Sequence, residues 1–343
     1  MNRPLPTAVI VGATGAVGED LRRLVAERDL PVGEVRLVAS ARSAGRRLPV
    51  RGEQVEVREL APEVFDGADL AFFSAGGGVS REWAPVAAER GAVVVDNSSA
   101  WRLHPRVPLV DADVNPGAAL RHPLGIVANP NCTTLAITPA LAVLRDLFGL
   151  AAITATSFQA AGGAGQRAMD ELLEQAAKLV GEPELLRGEG GRPAALPRGE
   201  VFPRPLAFNV VPQCMGFDDS GYTVEELKLR DEPRKILGLP ALASHPTCVR
   251  VPVMVGHSVS VRAVCERPVD LAAFREALTR APGVTVLDDY PTPLEAAGSD
   301  GVLVGRIRAD LEDPNAVLFW SVADNLRKGA ALNAVQIAEV LLA

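Results

Sequence analysis

Lysine is scarce in this chain, at only four positions (178, 228, 235 and 328), so 31 of the 35 basic residues are arginine. A lysine on the polar face of a helix therefore carries information here. Cysteine is just as sparse, at 132, 214, 248 and 265, with no Cys-x-x-Cys spacing, and the four histidines form no metal-binding pair. A zinc site is not expected, and the scattered thiols fit a cytoplasmic protein with reduced cysteines. Met1 to Thr7 lack the apolar core of a secretory signal, and no apolar run reaches the ~18 residues that suggest a membrane span. Net positive charge is missing too. A formal charge of -7 argues against nucleic acid as the main partner, so an anionic ligand must be met by locally placed cations.

What is there describes a folded chain of two domains. At 343 residues, 48% hydrophobic and 22% charged, it exceeds one ordinary core. Residues 7–11, 35–39, 68–73 and 91–95 are short apolar runs. Between the first two, Val17, Leu21, Leu24 and Val25 mark one side of a helix, and another helix is expected around 80–90. Apolar strands alternating with helices indicate a parallel, doubly wound sheet of Rossmann-like α/β type. After residue 130 the pattern changes. Helices are expected over 134–147 and 166–180, and residues 249–265 alternate as a strand. Residues 181–205, rich in Gly, Pro and Arg, read as an irregular excursion, and 324–342 read as a returning C-terminal helix. The expected division is 1–130, rejoined by 323–343, and an α+β domain over 131–322.

The first run ends in Gly12-Ala13-Thr14-Gly15-Ala16-Val17-Gly18, the strand–turn–helix order of a dinucleotide site. Bare glycines let backbone approach a pyrophosphate, and a helix N-terminus offers unpaired N–H groups. The spacing is Gly-x-x-Gly-x-x-Gly, so a tight turn without ligand is the competing reading. The second strand ends Ala39-Ser40-Ala41-Arg42-Ser43, with no acid to hold ribose hydroxyls. Ser40, Arg42 and Ser43 would suit a 2′-phosphate, favouring NADP, unless Arg42 is simply a solvated loop residue.

Cys132 stands in Asn129-Pro-Asn131-Cys132-Thr-Thr, at the start of an expected helix whose N-terminus would favour a thiolate. The competing reading is a small apolar filler. Thr223 and Glu226 have capping-box spacing, which leaves Glu225 and Lys228 one turn apart on one face. Arg250 and His257 share one alternating segment at odd spacing. A straight strand would point them to opposite faces, and Pro252 or Gly256 would have to bend it. A surface arginine and a hydrogen-bonded core histidine are the plainer alternatives.

These segments, with Asp96-Asn-Ser-Ser-Ala-Trp-Arg102, Ser157–Gly165 and Ala323–Ala331, resemble the aspartate-semialdehyde dehydrogenase family, in the family's order and from residue 8 to 343. The resemblance implies a dinucleotide domain, a catalytic and dimerisation domain and a C-terminal helix returning to the first. It implies NADPH-dependent reductive dephosphorylation of 4-aspartyl phosphate to aspartate 4-semialdehyde, on the route to lysine, threonine, methionine and diaminopimelate. Cys132 would form the thioester, His257 act as acid/base and Gln159 orient the substrate. Arg250 would meet the α-carboxylate and Glu225 the α-ammonium. Asn131 belongs to the same substrate set, and Arg102 and Lys228 would hold phosphate. Gly12, Thr14, Gly15, Ala16, Val17, Ser40, Arg42, Ser43, Gly162, Gly163 and Asn325 would contact the cofactor. A homodimer or homotetramer with no nucleic-acid or membrane partner is implied. The rival readings are a reductase of N-acetylglutamyl phosphate and a non-catalytic dinucleotide-binding protein.

Overall fold

Two sheets organise the chain in the computed structural model, which describes residues 5–187 and 199–343. Of the irregular excursion expected over 181–205, residues 188–198 lie outside the described residues. The first sheet runs in the order β3-β4-β2-β1-β5-β6-β7. Its strands are β1 (Ala8–Val11), β2 (Val35–Ala39), β3 (Arg47–Val50), β4 (Glu53–Glu59), β5 (Leu70–Phe73), β6 (Val93–Asp96) and β7 (Ile126–Ala128). All neighbours pair in parallel except the edge strand β3, which turns back on β4. Every residue of β1 and β5 is buried, as helices on both faces require. Helix α1 (Ala16–Glu27) buries Leu21, Leu24 and Val25, and α2 (Gly77–Glu89) covers β5 and β6.

A short turn, α3 (Cys132–Leu135), and α4 (Thr138–Phe148) lead into the second sheet. The single helix expected over 134–147 is broken at Ala136 and Ile137, where the Ala136 carbonyl accepts from Ser321 Oγ. This sheet, ordered β11-β12-β13-β10-β8-β9, centres on β8 (Leu150–Gln159) and β10 (His257–Cys265). Beside them lie β9 (Ala243–Arg250), β11 (Val284–Val286), β12 (Val302–Ala309) and β13 (Ala316–Ala323). The helices of this half are α5 (Gln166–Val180), α6 (Pro183–Leu186), α7 (Val224–Leu237), α8 (Leu271–Arg280) and α9 (Pro293–Ala296). Thr223 and Glu226 close the capping box that starts α7.

The chain then returns to the first sheet. Helix α10 (Asn333–Leu342) places Val335 and Ile337 in the same core as Leu21 and Leu24. Burying such a side chain is worth about 1.5–3 kcal/mol. A π-helical turn, Arg327–Leu332, precedes α10 where the sequence read as continuous α-helix. Within it Lys328 is fully buried, 2.6 Å from Asp113 Oδ2 as an ion pair; that oxygen has no hydrogen-bond partner, so the contact is charge without good donor geometry. Lys328 Nζ also donates to Gln336 Oε1 at 3.0 Å. Lys235 spans the two halves differently: from α7 its Nζ donates to the carbonyls of Arg102, His104 and Val107 at 2.7–2.8 Å.

Removing one partner of a buried pair strands the other charge at a cost of about 3–5 kcal/mol. Lys328→Ala is therefore expected to lower unfolding free energy by that order in urea titrations. An unshifted midpoint would mean that the pair does not hold the return of the chain in place.

Candidate active site

Three strand ends of the second sheet meet at one point. β9 runs parallel to β8 with Arg250 opposite Gln159, and β10 runs antiparallel on the other side of β8 with Ser258 opposite Phe158. Arg250 and His257 therefore do not share a strand. The alternation over 249–265 belongs to two strands joined by a link, residues 251–256, that crosses the end of β8. The link stays close to it: Val251 N–H donates to Gln159 O at 3.0 Å, and Ala161 N–H to Val253 O at 2.7 Å. Gly256 closes the link at φ +101°, against Pro293. Arg250 reaches from β9 to donate Nη1 to Ala160 O at 2.7 Å, with its guanidinium carbon 5.9 Å from the Phe202 ring centre.

Cys132 opens α3 and is fixed from both sides. Asn131 caps the turn, its side-chain oxygen accepting from Thr133 N–H at 2.9 Å. Gly329 lies so close that a Cβ there would stand 2.7 Å from Cys132 Cβ. Glu232, on α7, accepts from Asn131 N–H at 2.6 Å through Oε2 and from Arg102 Nη1 at 2.9 Å through Oε1. Arg102 also donates Nε to Asn129 O and Nη2 to Asn97 O, both at 2.8 Å. Of its five N–H groups two remain for a ligand.

Glu225 sits one turn from Lys228, whose Nζ donates to Oε2 at 2.9 Å. Asn131 Nδ2 donates to Oε1 at 2.9 Å. Burial opposes ionisation of Glu225, but Lys228, the Asn131 hydrogen bond and Arg250 together outweigh it and hold the carboxyl down to about 2. Gln159 Nε2 donates to Thr133 Oγ1 at 2.8 Å and contacts Glu225 Oε1 at 3.3 Å, from behind the cavity wall. The amide nitrogen is thus engaged with α3 and Glu225.

The thiol differs from expectation. Cys132 opens onto the cavity, yet burial and the Glu225 charge push it up to about 11, against only partial relief from Arg102, Lys228 and Arg250. A one-turn α3 offers little dipole, and its Thr133 N–H is already taken by the Asn131 cap. Burial thus works against the thiolate that a helix N-terminus would favour. His257 is buried and pushed down to about 3, by burial first and Arg250 second. The pair is neutral.

One cavity of about 1070 Å³ joins these groups to the glycine turn. Arg102, Asn131, Cys132, Glu225, Lys228 and Arg250 line it, as do Gly15, Ala16 and Val17 of the glycine turn, and Gly162, Gly163 and Asn325, with Gly163 packed beside Arg250. Gly12, at φ +89°, is pressed against the Ser74 carbonyl, where no Cβ fits. Gly15 caps α1 with no side-chain partner, leaving first-turn N–H groups for a ligand, as a pyrophosphate requires. Asn97 lacks partners for both amide atoms and Asn325 for Nδ2, although these atoms are buried and both residues line the cavity. The site fits a dinucleotide. Gly12 and Thr14 belong to the turn but not to the cavity wall. Ser40 and Arg42 are exposed and Ser43 is buried on the short turn after β2, beyond the cavity wall. Sequence reading missed Glu232 and Asn97. The signal for Glu232 was its spacing of seven from Glu225, which puts both on one face of α7.

Models of the semialdehyde dehydrogenase NAD binding domain and dimerisation domain match residues 7–122 and 141–328. An aspartate-semialdehyde dehydrogenase from Streptomyces akiyoshiensis is 49% identical, covering 97% of this chain and 98% of its own length. The Bacillus subtilis (strain 168) enzyme of that name is 42% identical over 99% and 98%. The crystal structure of aspartate semialdehyde dehydrogenase II from Vibrio cholerae complexed with ASA is 41% identical, with TM-score 0.92 over 99% of this chain and 98% of that one. A Candida albicans enzyme of that name with NADP is 25% identical, with TM-score 0.74 over 98% of both chains.

Glu232→Gln removes the charge that holds Arg102 and asks an amide to accept twice. Losing a buried charged hydrogen bond costs about 1–3 kcal/mol, so kcat is expected to fall about 5- to 150-fold with an intact circular dichroism spectrum. An unchanged kcat would mean that the carboxylate is not needed to place Cys132.

Proposed function

The chain belongs to the aspartate-semialdehyde dehydrogenase family, carrying that family's oxidoreductase activity in amino-acid biosynthesis, and we propose that the reaction proceeds by acylation of Cys132 with NADP(H) as the preferred cofactor. The carrying observation is a single cavity lined by a thiol, a charge-paired carboxylate, three cations and a bare glycine turn. The dinucleotide supplies hydride when bound. The two unused N–H groups of Arg102, together with Lys228, suit the phosphate of the acyl phosphate. Arg250 suits the α-carboxylate, since one guanidinium can form two parallel hydrogen bonds to it. Glu225, held ionised, suits an α-ammonium, with Asn131 fixing its oxygen and Gln159 bracing it. That carboxylate favours an amino-acid acyl phosphate over an N-acylated one, which has no ammonium to offer. Contacts at Gly12, Thr14, Gly15, Ala16, Val17, Gly162, Gly163 and Asn325 would hold the nucleotide.

NADP preference draws support from Ser40, Arg42 and Ser43 at the end of β2, with no acid there to repel a 2′-phosphate. We also assign residues 1–130 with 323–343 to the nucleotide domain and 131–322 to the catalytic one. A dimerisation domain implies an oligomer, and a homodimer or homotetramer is the proposed form. Leu173, Phe208, Val210 and Phe217, each more than half exposed, support a contact through the second domain. Cytoplasmic residence draws support from four free thiols in a family of biosynthetic enzymes. Among the described residues no helix is long and apolar enough to cross a membrane.

Cys132→Ser should keep NADP binding and lose turnover, because a serine alkoxide forms far less readily at neutral pH. Mass spectrometry of wild type quenched with acyl donor should find one acyl group on Cys132; no adduct, or full activity in the serine variant, would end the thioester reading. Arg42→Ala should raise the KM for NADP about tenfold while leaving that for NAD unchanged. Equal effects on both would remove the 2′-phosphate assignment.

A further inference from the structure

Among the buried residues of α1, one is charged. Arg22 is 8% exposed, and among the described residues no carboxylate pairs with it. Both of its hydrogen bonds go to backbone carbonyls: Nε donates to Ala13 O at 3.2 Å and Nη1 to Pro49 O at 3.0 Å. Ala13 lies in the glycine turn and Pro49 on β3. Gly18, one helical turn before Arg22 on the same face, lets the helix come this close. A Cβ there would stand 2.9 Å from the Ala13 carbonyl carbon and 2.2 Å from Gly12 O. Burial disfavours the charge on Arg22, Glu19 favours it and Arg46 opposes it.

We infer that Arg22 is a positioning residue for the nucleotide, a strut that sets the glycine turn against the turn after β2; this rests on the dinucleotide reading above. At the first end, the Ala13–Thr14 peptide is trans, so an oxygen drawn toward Arg22 sends the Thr14 N–H the opposite way. That N–H donates to no protein acceptor among the described residues. Gly15, Ala16 and Val17, which follow it, line the cavity. At the second end, Pro49 pairs with Gln54 of β4. Further along β4, Val57 O accepts from Gly45 N–H at 2.9 Å and Val57 N–H donates to Arg46 O at 2.8 Å. The turn bearing Ser40, Arg42 and Ser43 is thereby tied to the hairpin that Arg22 holds.

The chemistry of the side chain suits the task. A guanidinium presents Nε and Nη1 in fixed directions, so a single residue sets the separation of the two carbonyls, and with it the gap between the pyrophosphate turn and the 2′-phosphate turn. An ammonium on a similar stem offers one nitrogen only. Arg22 is not on the cavity wall, so its effect reaches a ligand through the backbone it holds. The hairpin does not depend on it alone. Between β3 and β4, Arg51 donates to the carbonyls of Val32 and Leu30, which keeps the hairpin docked beside α1 when Arg22 is replaced.

The test compares Arg22→Met, which keeps an unbranched stem and removes every donor, with Arg22→Lys, which keeps the charge on one nitrogen. Each whole protein is assayed with NADP and with NAD, and the Kd of each nucleotide is measured by calorimetry. Arg22→Met should raise KM and Kd about tenfold, by the same factor for both nucleotides, as for the loss of a charged hydrogen bond. Its kcat at saturating nucleotide should stay within about twofold of wild type, which a general loosening of the fold would not allow. Arg22→Lys should fall between Arg22→Met and wild type. An equal rise for NADP and NAD separates this role from a contact to the 2′-phosphate, which moves NADP alone. Wild-type affinity in either variant, a change confined to NADP, or a fall in kcat with KM unmoved overturns the inference. Should Arg22→Met not fold, Arg22→Lys decides, because one nitrogen cannot replace the fork. A wild-type protein that binds neither nucleotide would refute the dinucleotide reading instead, so the two failures are distinct.

Discussion

The carboxylate of Glu232 is the point on which this active site turns. It is buried on α7, yet its two oxygens reach the backbone N–H that precedes Cys132 and the guanidinium of Arg102. Arg102 in turn takes hold of the Asn97 and Asn129 carbonyls, at the carboxyl edge of the first sheet. One side chain of the second half therefore fixes the Cys132 loop against the first half. Buried charge of this kind is tolerable only when every partner is present. Placement of the Cys132 sulfur, of the Arg102 guanidinium and of the helix bearing Glu225 and Lys228 is thus coupled through one carboxylate.

The electrostatics that result do not prime the sulfur in advance. Glu225 is ionised and close enough to disfavour a second negative charge, and the protein around Cys132 disfavours it further. A resting thiol is less open to oxidation than a thiolate, because susceptibility follows thiolate character. On the proposed reading, an α-ammonium beside Glu225 would offset the charge that disfavours the thiolate. The arrangement ties reactivity to the right ligand being present.

How much of this was readable in the sequence depends on the range of the interactions involved. β1 and β2 were legible because strands covered on both faces must be apolar throughout, and the turn after β1 because its glycines meet backbone. Helix α5 and the capping box of α7 were local and equally plain. β8 was not: its Ala and Thr residues suit either face, so its burial alternates while its polarity does not. The crossing at 251–256 was hidden because Val251, Val253 and Val255 continue the alternation of the strands they separate. At the site, the motifs located the groups but not their states. A thiol pushed upward by burial, a glutamine amide nitrogen held by Thr133 and a carboxylate clamping a loop from 101 residues away all depend on partners brought in by the fold.

The scarcity of lysine has a practical side. Lys328 is sealed in the core, Lys235 is bound to three carbonyls, and Lys228 is paired with Glu225 inside the cavity. That leaves Lys178, on the outer face of α5, as the one side-chain amine standing in solvent. Amine-directed reagents, whether dyes, crosslinkers or activated resins, would find Lys178 as their exposed side-chain target, with the amine of Lys228 held in its own ion pair.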